Sequence, residues 1–191
     1  MDEVARTRAA YEGDADSFVE KYLSESVAAR YGGEFYEALS GERILDVGCG
    51  PGADAAAFED DGYDVTGLDI TRSLLRTADE LVSDGSFVRG DMRRLPFRDG
   101  EFDGIWSCAS FLHVPRADAR ATLGEFRRVL TDEGVVFLSV KRPGVERRDP
   151  DERYFERYRR EEFEALLADA AFDPLTVETS ERWVSVIAAP A

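Results

Sequence analysis

A glycine-rich turn between a predicted strand and a predicted helix is the feature that most constrains the fold of this chain. Apolar residues give way there to three glycines in alternate positions, in the run Ile44-Leu45-Asp46-Val47-Gly48-Cys49-Gly50-Pro51-Gly52. Without Cβ atoms, glycines let the backbone turn tightly and approach a bound molecule closely. A helix predicted to begin near Ala53 directs its free amides at the same place. The pattern predicts a ligand site at the end of a strand.

Strand-like and helix-like segments alternate through most of the chain, which is typical of a parallel sheet covered by helices. The predicted strands are residues 43–47, 64–68, 86–89, 102–107, 135–140, 175–179 and 182–188. The last two are close enough in sequence to pair as an antiparallel hairpin. The sequence therefore predicts an α/β fold.

Amphipathic helices are predicted between these strands and before the first of them. Residues 15–39 form one or two helices, with these side chains facing inward: Phe18, Tyr22, Leu23, Val27 and Tyr31. Three later apolar faces comprise Leu74, Leu75, Ala78, Leu81 and Val82; Leu123, Phe126, Val129 and Leu130; and Phe163, Leu166, Leu167 and Ala170. Asp132-Glu133-Gly134 is predicted to turn the chain into the next strand.

Two acidic residues follow the second and third predicted strands. Asp69 stands where an acid can hydrogen-bond a ribose diol, and Asp91 with Met92 could meet the edge and face of an adenine. Either acid alone could be a turn or capping residue. Because the carboxyl ends of parallel strands share one rim of the sheet, the two acids and the glycine turn together predict an adenosine site.

Acidic residues around the glycine turn distinguish between adenosine cofactors. Asp46 precedes the turn and Asp54 lies in the first turn of the following helix, where both disfavour a pyrophosphate. S-adenosylmethionine carries a sulfonium and an ammonium group and no phosphate. Ala53 stands where dinucleotide sites usually have a third glycine, but some of those sites accept alanine. The charges therefore decide in favour of S-adenosylmethionine.

The same residues resemble the motifs of class I, Rossmann-like S-adenosylmethionine-dependent methyltransferases. Residues 44–52 resemble the first motif of that superfamily, and Asp69 and Asp91-Met92 resemble its ribose and adenine contacts. Residues 102–107 resemble its fourth strand, and residues 126–134 its helix-turn-strand. The resemblance covers residues 11–188, and its motifs are specific to the superfamily but not to a substrate.

The resemblance implies a three-layer αβα sandwich with a seven-stranded, mostly parallel sheet whose last strand is antiparallel. It implies a single domain over residues 1–191: a helical lid at 1–41, a cofactor-binding core at 42–141, and a helix and β-hairpin at 142–191. The expected cofactor-binding residues are Asp46, Gly48, Cys49, Gly50, Gly52, Asp69, Ile70, Asp91, Met92 and Ser107. Arg30 is the candidate cation for the carboxylate of the cofactor.

His113 is the only histidine, and it lies in the loop after the fourth predicted strand. Histidine is well suited to accept a proton near neutral pH, so His113 is the candidate catalytic base, although a packing or capping role would also suit it. The substrate candidates are Tyr11, Tyr22, His113, Arg142 and Tyr158. The arginines around Tyr158 are either a solvated helix paired with glutamates or a site for an anionic substrate. Ser107-Cys108-Ala109-Ser110 lacks the Asn/Asp-Pro-Pro-Tyr associated with methylation of nucleobases.

Forty acidic and 24 basic residues give a net charge of −16, spread along the whole chain. Such a surface repels itself in dilute salt and is screened in molar salt, so it suggests a halophilic host and argues against nucleic-acid and anionic-membrane partners. Cys49 and Cys108 occur without CxxC or HxxxH spacing, so no metal site is expected. No apolar run is long enough to span a membrane and no signal peptide is recognisable, so a cytoplasmic protein is expected.

The sequence leaves three functions open. The first is a methyltransferase that acts on a small molecule by in-line displacement. The second is a nucleotide-dependent oxidoreductase of the NAD type, which lacks support because no substrate domain follows the Rossmann-like half. The third is a non-catalytic S-adenosylmethionine-binding protein. The acceptor atom and the oligomeric state are not encoded in any pattern of the sequence.

Overall fold

A seven-stranded sheet forms the centre of the molecule, in a computed structural model that describes residues 2–144 and 152–191. Its strands are β1 (Arg43–Val47), β2 (Asp64–Asp69), β3 (Ser86–Arg89), β4 (Phe102–Ser107), β5 (Leu130–Lys141), β6 (Phe172–Thr179) and β7 (Trp183–Pro190). The helices are α1 (Glu3–Gly13), α2 (Ala15–Leu23), α3 (Val27–Tyr31), α4 (Gly33–Ala38), α5 (Ala53–Asp60), α6 (Arg72–Leu81), α7 (Arg116–Val129) and α8 (Arg160–Asp169). A short 3₁₀ helix spans Phe111–His113.

The strands lie in the order β3-β2-β1-β4-β5-β7-β6. Neighbours from β3 to β5 are parallel, whereas β7 pairs antiparallel with both β5 and β6. The expected mostly parallel sheet with an antiparallel last strand and a terminal hairpin is confirmed. The order reverses at β1, so the crevice beside β1 and β4 is the switch point where open α/β sheets bind ligands.

Two hydrophobic clusters cover the two faces of the sheet, because successive strand residues point to opposite sides. Ile44, Trp106 and Phe137 belong to the cluster that packs against α3, α4 and α5. The alternate strand residues Leu45 and Ile105 belong to the other cluster, with residues of α7 and α8. Rings of Trp106 and Phe137 stack with centroids 3.9 Å apart. The three-layer arrangement of helix, sheet and helix is therefore also confirmed.

Three apolar residues that were expected to face inward are exposed: Leu23 by 37%, Tyr31 by 64% and Leu81 by 46%. Each is the last residue of its helix, in α2, α3 and α6 respectively. The periodic pattern continued to the helix end, but at that end the sheet and neighbouring helices no longer cover the side chain. Arg30 places its guanidinium over the ring of Tyr31, 5.2 Å from the centroid.

Two further elements differ from the expectation. The turn expected at Asp132-Glu133-Gly134 lies inside the long strand β5, where the pairing with β4 shifts between Phe102 and Gly104. The extra residues are accommodated as an irregular bulge, so that strand pairing begins before them and resumes after them. Helix α1 lies within the expected helical lid at 1–41 but before residues 15–39, the only part of that lid for which individual helices were predicted; Asp2 caps it by accepting a hydrogen bond from the amide of Ala5 at 2.7 Å.

None of the helices in the described part of the chain combines the length and the apolar character that a membrane crossing requires.

Arg128 on α7 holds the loop that carries Asp91 and Met92. Its guanidinium donates to the carbonyls of Phe97 at 2.7 Å and Leu95 at 3.0 Å. The same group bonds Glu125 and Asp99, at 2.9 Å each. One planar side chain with several fixed donors thereby ties a long loop to a helix.

Replacing Arg128 with lysine tests this role. Lysine keeps the charge but cannot reach four acceptors in one plane, so we expect Arg128→Lys to lower the free energy of unfolding by about 1–3 kcal/mol. Arg127→Lys is the matched control on the same helix: Arg127 bonds Asp132, whose side chain is 95% exposed, and the change should stay within about 0.5 kcal/mol. Urea denaturation measures both; equal losses would contradict the assignment.

Candidate functional site

A cavity of about 270 Å³ opens at the carboxyl ends of β1, β2 and β4. The glycine turn forms its floor, the starts of α5 and α6 flank it, and α1 and α2 reach over it from the N-terminal segment. This is the rim on which the glycine turn and the strand-end acids were expected to converge. The structure brings these features together.

Each glycine of the turn has a positive φ and a separate reason to lack a side chain. The φ angles are 75° at Gly48, 55° at Gly50 and 91° at Gly52. A Cβ on Gly48 would lie 2.3 Å from the Cβ of Ser110, and one on Gly52 would lie 2.9 Å from the Cβ of Ala78. A Cβ on Gly50 would meet nothing within 4 Å. Gly50 therefore faces the cavity, whereas the other two permit close packing beneath it.

Asp69 at the end of β2 grips the turn. Its carboxylate accepts hydrogen bonds from the amides of Gly50 at 3.0 Å and Thr71 at 2.7 Å. Burial raises the pKa of Asp69, and these amide hydrogen bonds oppose the rise. A carboxylate has about four lone-pair positions, so two remain available to a ligand hydroxyl.

Asp91, which follows β3, is oriented by Arg93. The Arg93 guanidinium forms a fork on the carboxylate, with Nη2 to Oδ2 at 2.7 Å and Nε to Oδ1 at 3.1 Å, and its Nη1 donates to Asp118 at 3.0 Å. Burial raises the pKa of Asp91, but the hydrogen bonds and charge of Arg93 outweigh burial and leave that pKa below its usual value. Asp91 is therefore a fixed, ionised acid at the cavity wall.

Asp46 is a buried carboxyl group whose environment disfavours its ionised form. It is 3% exposed, and its Oδ2 atom is buried without a hydrogen-bond partner among the described residues. Burial, followed by the charges of Asp54 and Asp69, raises the pKa of Asp46 well above its usual value. A buried acid in this situation gains free energy if a cation or hydrogen-bond donor arrives.

Asp54, considered in the sequence only as an obstacle to phosphate, has a structural role as well. It accepts hydrogen bonds from Trp106 Nε1 at 2.8 Å, Ser26 Oγ at 2.7 Å and the amide of Ala28 at 3.0 Å. This carboxylate therefore ties the segment before α3 to the sheet while it lines the cavity.

The cavity wall is acidic. Its charged residues in the described part of the chain are Glu25, Asp46, Asp54, Asp69 and Asp91, and neither lysine nor arginine lines it there. The potential of such a wall favours a cation and opposes a pyrophosphate. In the described ranges, no group of three or more His, Cys, Asp or Glu side chains could hold a metal ion.

An aromatic and basic group closes the far end of the cavity. His113 Nε2 lies 3.0 Å from the hydroxyl of Tyr11, and His113 Nδ1 lies 2.6 Å from the carbonyl oxygen of Tyr154. Arg153 donates from Nη1 to the hydroxyls of Tyr11 at 2.8 Å and Tyr22 at 2.9 Å. Helices α1 and α2 thereby meet the loop after β4 and the segment before α8.

The structure places most of the predicted site residues at this cavity, and these line it: Tyr11, Tyr22, Asp46, Gly48, Cys49, Gly50, Asp69, Ile70, Asp91, Met92 and His113. Five others are not among its lining residues: Arg30, Gly52, Ser107, Arg142 and Tyr158. Gly52 packs behind the turn against Ala78, as described above. The other four lie elsewhere for separate reasons.

Two of these four are arginines. Arg30 points to the surface and pairs with Glu25. Arg142 donates to the carbonyl of Ser180 at 2.7 Å, beside the terminal hairpin. The structure therefore gives neither cation a place at the cavity.

The other two are buried. Tyr158 is 1% exposed and packs 5.2 Å from the ring of Phe163. Ser107 is fully buried and hydrogen-bonds the hydroxyl of Ser110 at 2.8 Å. Ser110, not Ser107, reaches the cavity.

Sequence reasoning missed several lining residues, including Val4, Thr7, Thr71, Leu74, Ser110 and Val114. Val4 and Thr7 belong to α1, whose sequence EVARTRAAYEG has no apolar periodicity that could have predicted it. Thr71 could have been found, because it is the N-cap residue of α6 and stands two residues after Asp69. Ser110 has no local signal, since it reaches the cavity only through the loop after β4.

Comparison with known proteins relates the segment that forms most of this site to methyltransferases. A family model described as "Methyltransferase domain" matches residues 44–134. The chain is 37% identical over 97 residues to the demethylmenaquinone methyltransferase of Beutenbergia cavernae, a match that covers 51% of this chain and 40% of the relative. It is 34% identical over 100 residues to the malonyl-[acyl-carrier protein] O-methyltransferase of Erwinia billingiae, covering 52% and 39%. The matched segment thus spans about 40% of these curated relatives.

Solved structures share the fold over the whole chain. The 1,6-didemethyltoxoflavin-N1-methyltransferase of Burkholderia thailandensis, solved with its ligand and S-adenosylhomocysteine, superposes with a TM-score of 0.77. That match covers 100% of this chain and 92% of the other at 20% identity. The likeness extends to the N-terminal helices and the terminal hairpin, outside the segment that the family model matches.

Asp46→Asn tests the electrostatics of the site without a ligand. Because the folded pKa of Asp46 lies above the value of about 3.9 in unfolded chains, the wild type loses stability as the pH rises from there toward the folded pKa. The variant should lack that loss and be about 1 kcal/mol or more stable near neutral pH. Urea denaturation from acid to neutral pH measures this, with the exposed Asp173→Asn as control. A variant no more stable than the wild type near neutral pH would contradict the destabilising effect assigned to the Asp46 carboxylate.

Proposed function

We propose that this chain is an active methyltransferase of the class I S-adenosylmethionine-dependent superfamily, with which its family-model match and its structural neighbours agree, and that it uses S-adenosylmethionine on a small-molecule acceptor. The observation that carries the proposal is the acid-lined cavity at the switch point of the sheet, with a glycine turn as its floor. An adenosine that carries positive charge and no phosphate suits this wall, whereas a dinucleotide does not.

The residues of the cavity fit the parts of S-adenosylmethionine. Gly50 leaves room for close approach of the ligand to the backbone, and Asp69 retains lone pairs for a ribose diol. Asp91 and Met92 would take the adenine. The unpartnered oxygen of Asp46 would take a donor from the cationic end of the cofactor. When bound, S-adenosylmethionine supplies a methyl group on a positively charged sulfur.

The task of the chain's own residues is then alignment and exclusion of water. Holding an acceptor atom close to and in line with the methyl group can supply several kcal/mol. The lid proposed for residues 1–41 would do this from above, through Tyr11 and Tyr22. The core at 42–141 would hold the cofactor, and residues 142–191 would complete the single domain. His113 is the proposed proton acceptor.

The identity of the acceptor does not follow from the relatives. One is named for demethylmenaquinone, one for a malonyl-[acyl-carrier protein] and one for a ring nitrogen of 1,6-didemethyltoxoflavin. These acceptors differ in size and in the atom methylated. A small-molecule acceptor remains the proposal because the cavity is closed over by α1 and α2 and is acidic, which disfavours a nucleic acid. The halophilic host and cytoplasmic location also stay predictions.

Calorimetry with three ligands tests the cofactor. We expect heat on titration with S-adenosylmethionine and with S-adenosylhomocysteine, and none with NAD, because only the dinucleotide brings phosphates to the acidic wall. Asp69→Asn should weaken both binding constants at least about tenfold, since a charged hydrogen-bond acceptor contributes about 1.5–3 kcal/mol. Asp173→Asn, on the exposed face of β6, should bind like the wild type.

The outcomes separate the candidate functions. Preference for NAD would overturn the proposal in favour of an oxidoreductase. Binding of both sulfur ligands, followed by methyl transfer to a member of a metabolite panel in molar salt, supports the full proposal. Binding without transfer to any acceptor of the panel would favour a non-catalytic S-adenosylmethionine-binding protein.

A further inference from the structure

The tautomer of His113 follows from two of its contacts, one at each ring nitrogen. The carbonyl oxygen of Tyr154, 2.6 Å from Nδ1, can only accept, so Nδ1 carries the hydrogen. In the neutral ring Nε2 then has a lone pair, and the Tyr11 hydroxyl at 3.0 Å donates to it. The basic nitrogen of His113, the only histidine of the chain, is therefore Nε2, and the Tyr11 hydroxyl of α1 is hydrogen-bonded to it.

Tyr11 is placed to exchange a proton. Its oxygen accepts a hydrogen bond from Arg153 at 2.8 Å while its hydrogen is directed at His113. A phenol oxygen has two lone pairs, so it can accept a second hydrogen bond besides that of Arg153. Burial and the neighbouring Tyr22 raise the pKa of Tyr11, against the opposing effect of Arg153, so its hydroxyl keeps its proton at rest.

Helix α1 is fastened at two points that fix this position. Near its start, the hydroxyl of the buried Thr7 accepts from the amide of Tyr154 at 2.9 Å. Near its end, Glu12 accepts from the amide of Arg72 at 2.7 Å and from the hydroxyl of Ser73 at 2.7 Å, at the start of α6. Tyr11 lies between these attachments, so its hydroxyl is directed by the whole helix and not by a mobile side chain alone.

On these grounds, and resting on the proposed function, we propose that Tyr11 is a catalytic residue that relays a proton from the acceptor to His113, and that the acceptor is an aryl hydroxyl. The acceptor O–H gives its proton to the Tyr11 oxygen while Tyr11 passes its own proton to His113 Nε2. The acceptor is left with the electron pair of the broken O–H bond, His113 becomes the imidazolium, and Tyr11 ends as it began.

The lining of this end of the cavity supports that acceptor class. Tyr22, which shares Arg153 with Tyr11, and Val114, which follows His113, offer aromatic and apolar surface there. A phenolic hydroxyl, with a pKa of about 10, keeps its proton at neutral pH and needs a base, unlike a thiolate or a carboxylate. The rings of Phe18 and His113 lie 4.7 Å and 5.7 Å from the Tyr11 ring, centroid to centroid, so this end of the cavity has an aromatic environment.

Because His113 is the only histidine, its imidazole can be observed by ¹⁵N NMR of the untagged, histidine-labelled protein without assignment of other residues. We expect the Nδ1–H tautomer near neutral pH, with and without S-adenosylhomocysteine. Tyr11→Phe, which removes the hydroxyl alone, should shift the Nε2 resonance. Tyr31→Phe, at a ring that is 64% exposed and outside the cavity, should leave it unchanged.

Phenol is the probe for the acceptor class. Added to the wild type saturated with S-adenosylhomocysteine, it should move the Nε2 resonance, and the effect should fall at least about fivefold in Tyr11→Phe. An Nε2–H tautomer, or a Tyr11→Phe spectrum identical to wild type, would overturn the relay. If the Nδ1–H tautomer and the Tyr11→Phe shift are both observed but phenol does not move the Nε2 resonance, the proposal that the acceptor is an aryl hydroxyl is wrong. Failure of the proposed function itself would show separately, as absence of heat with S-adenosylhomocysteine.

Discussion

One backbone carbonyl, through two hydrogen bonds, fixes the glycine turn on which the site is built. Leu68, the penultimate residue of β2, accepts from the amides of both Gly48 at 2.6 Å and Cys49 at 3.2 Å. This contact forces the chain after β1 to bend toward β2, and the positive φ at Gly48 is the consequence. Asp69 follows Leu68 directly and caps the next bend at Gly50. Floor and wall of the cavity are thus one hydrogen-bonded unit, which fixes their relative positions to within the tolerance of hydrogen-bond geometry.

That rigidity allows the site to hold acids close together at a cost in stability. Asp46 and Asp69 both have raised pKa values because burial disfavours their charges, and Asp46 also faces the charges of its neighbours. These buried charges lower the stability of the folded protein. A ligand that neutralises them and binds only the folded state raises that stability again. Asp54 shows the contrast: three donors satisfy it, and it serves to attach the segment before α3.

Local features of the sequence were enough to predict which residues meet at the rim where the cofactor is proposed to bind. The glycine turn, Asp69 and Asp91-Met92 each lie at or just after the carboxyl end of a strand, so predicting the strands also predicted their meeting at one rim. The acceptor side was only partly accessible, because it depends on contacts between distant parts of the chain. Tyr11 and His113 were candidates by residue type, but no local pattern predicted their hydrogen bond, which joins positions 102 residues apart.

The predicted residues that lie outside the cavity lining have the same explanation. Arg30 was predicted to meet the carboxylate of the cofactor and Arg142 to meet the substrate, yet nearby acceptors, Glu25 and the carbonyl of Ser180, engage them. Tyr158 belongs to an apparently basic, solvated stretch, but packing against α8 buries it. A pattern of residue types indicates what a side chain can do; which of several available partners it takes is decided by tertiary packing.

Charge composition and site architecture are connected through the arginines. Only Lys21 and Lys141 among the 24 basic residues are lysines, in a chain with 40 acids. Arg93 orients Asp91, Arg128 holds the loop behind it, and Arg153 joins the hydroxyls of Tyr11 and Tyr22. Each guanidinium serves several acceptors at once, which a lysine ammonium on a flexible stem does less well. In a chain with so few cations, concentrating several contacts on each arginine leaves the described cavity wall acidic, and an acidic wall favours a cationic ligand over an anionic one.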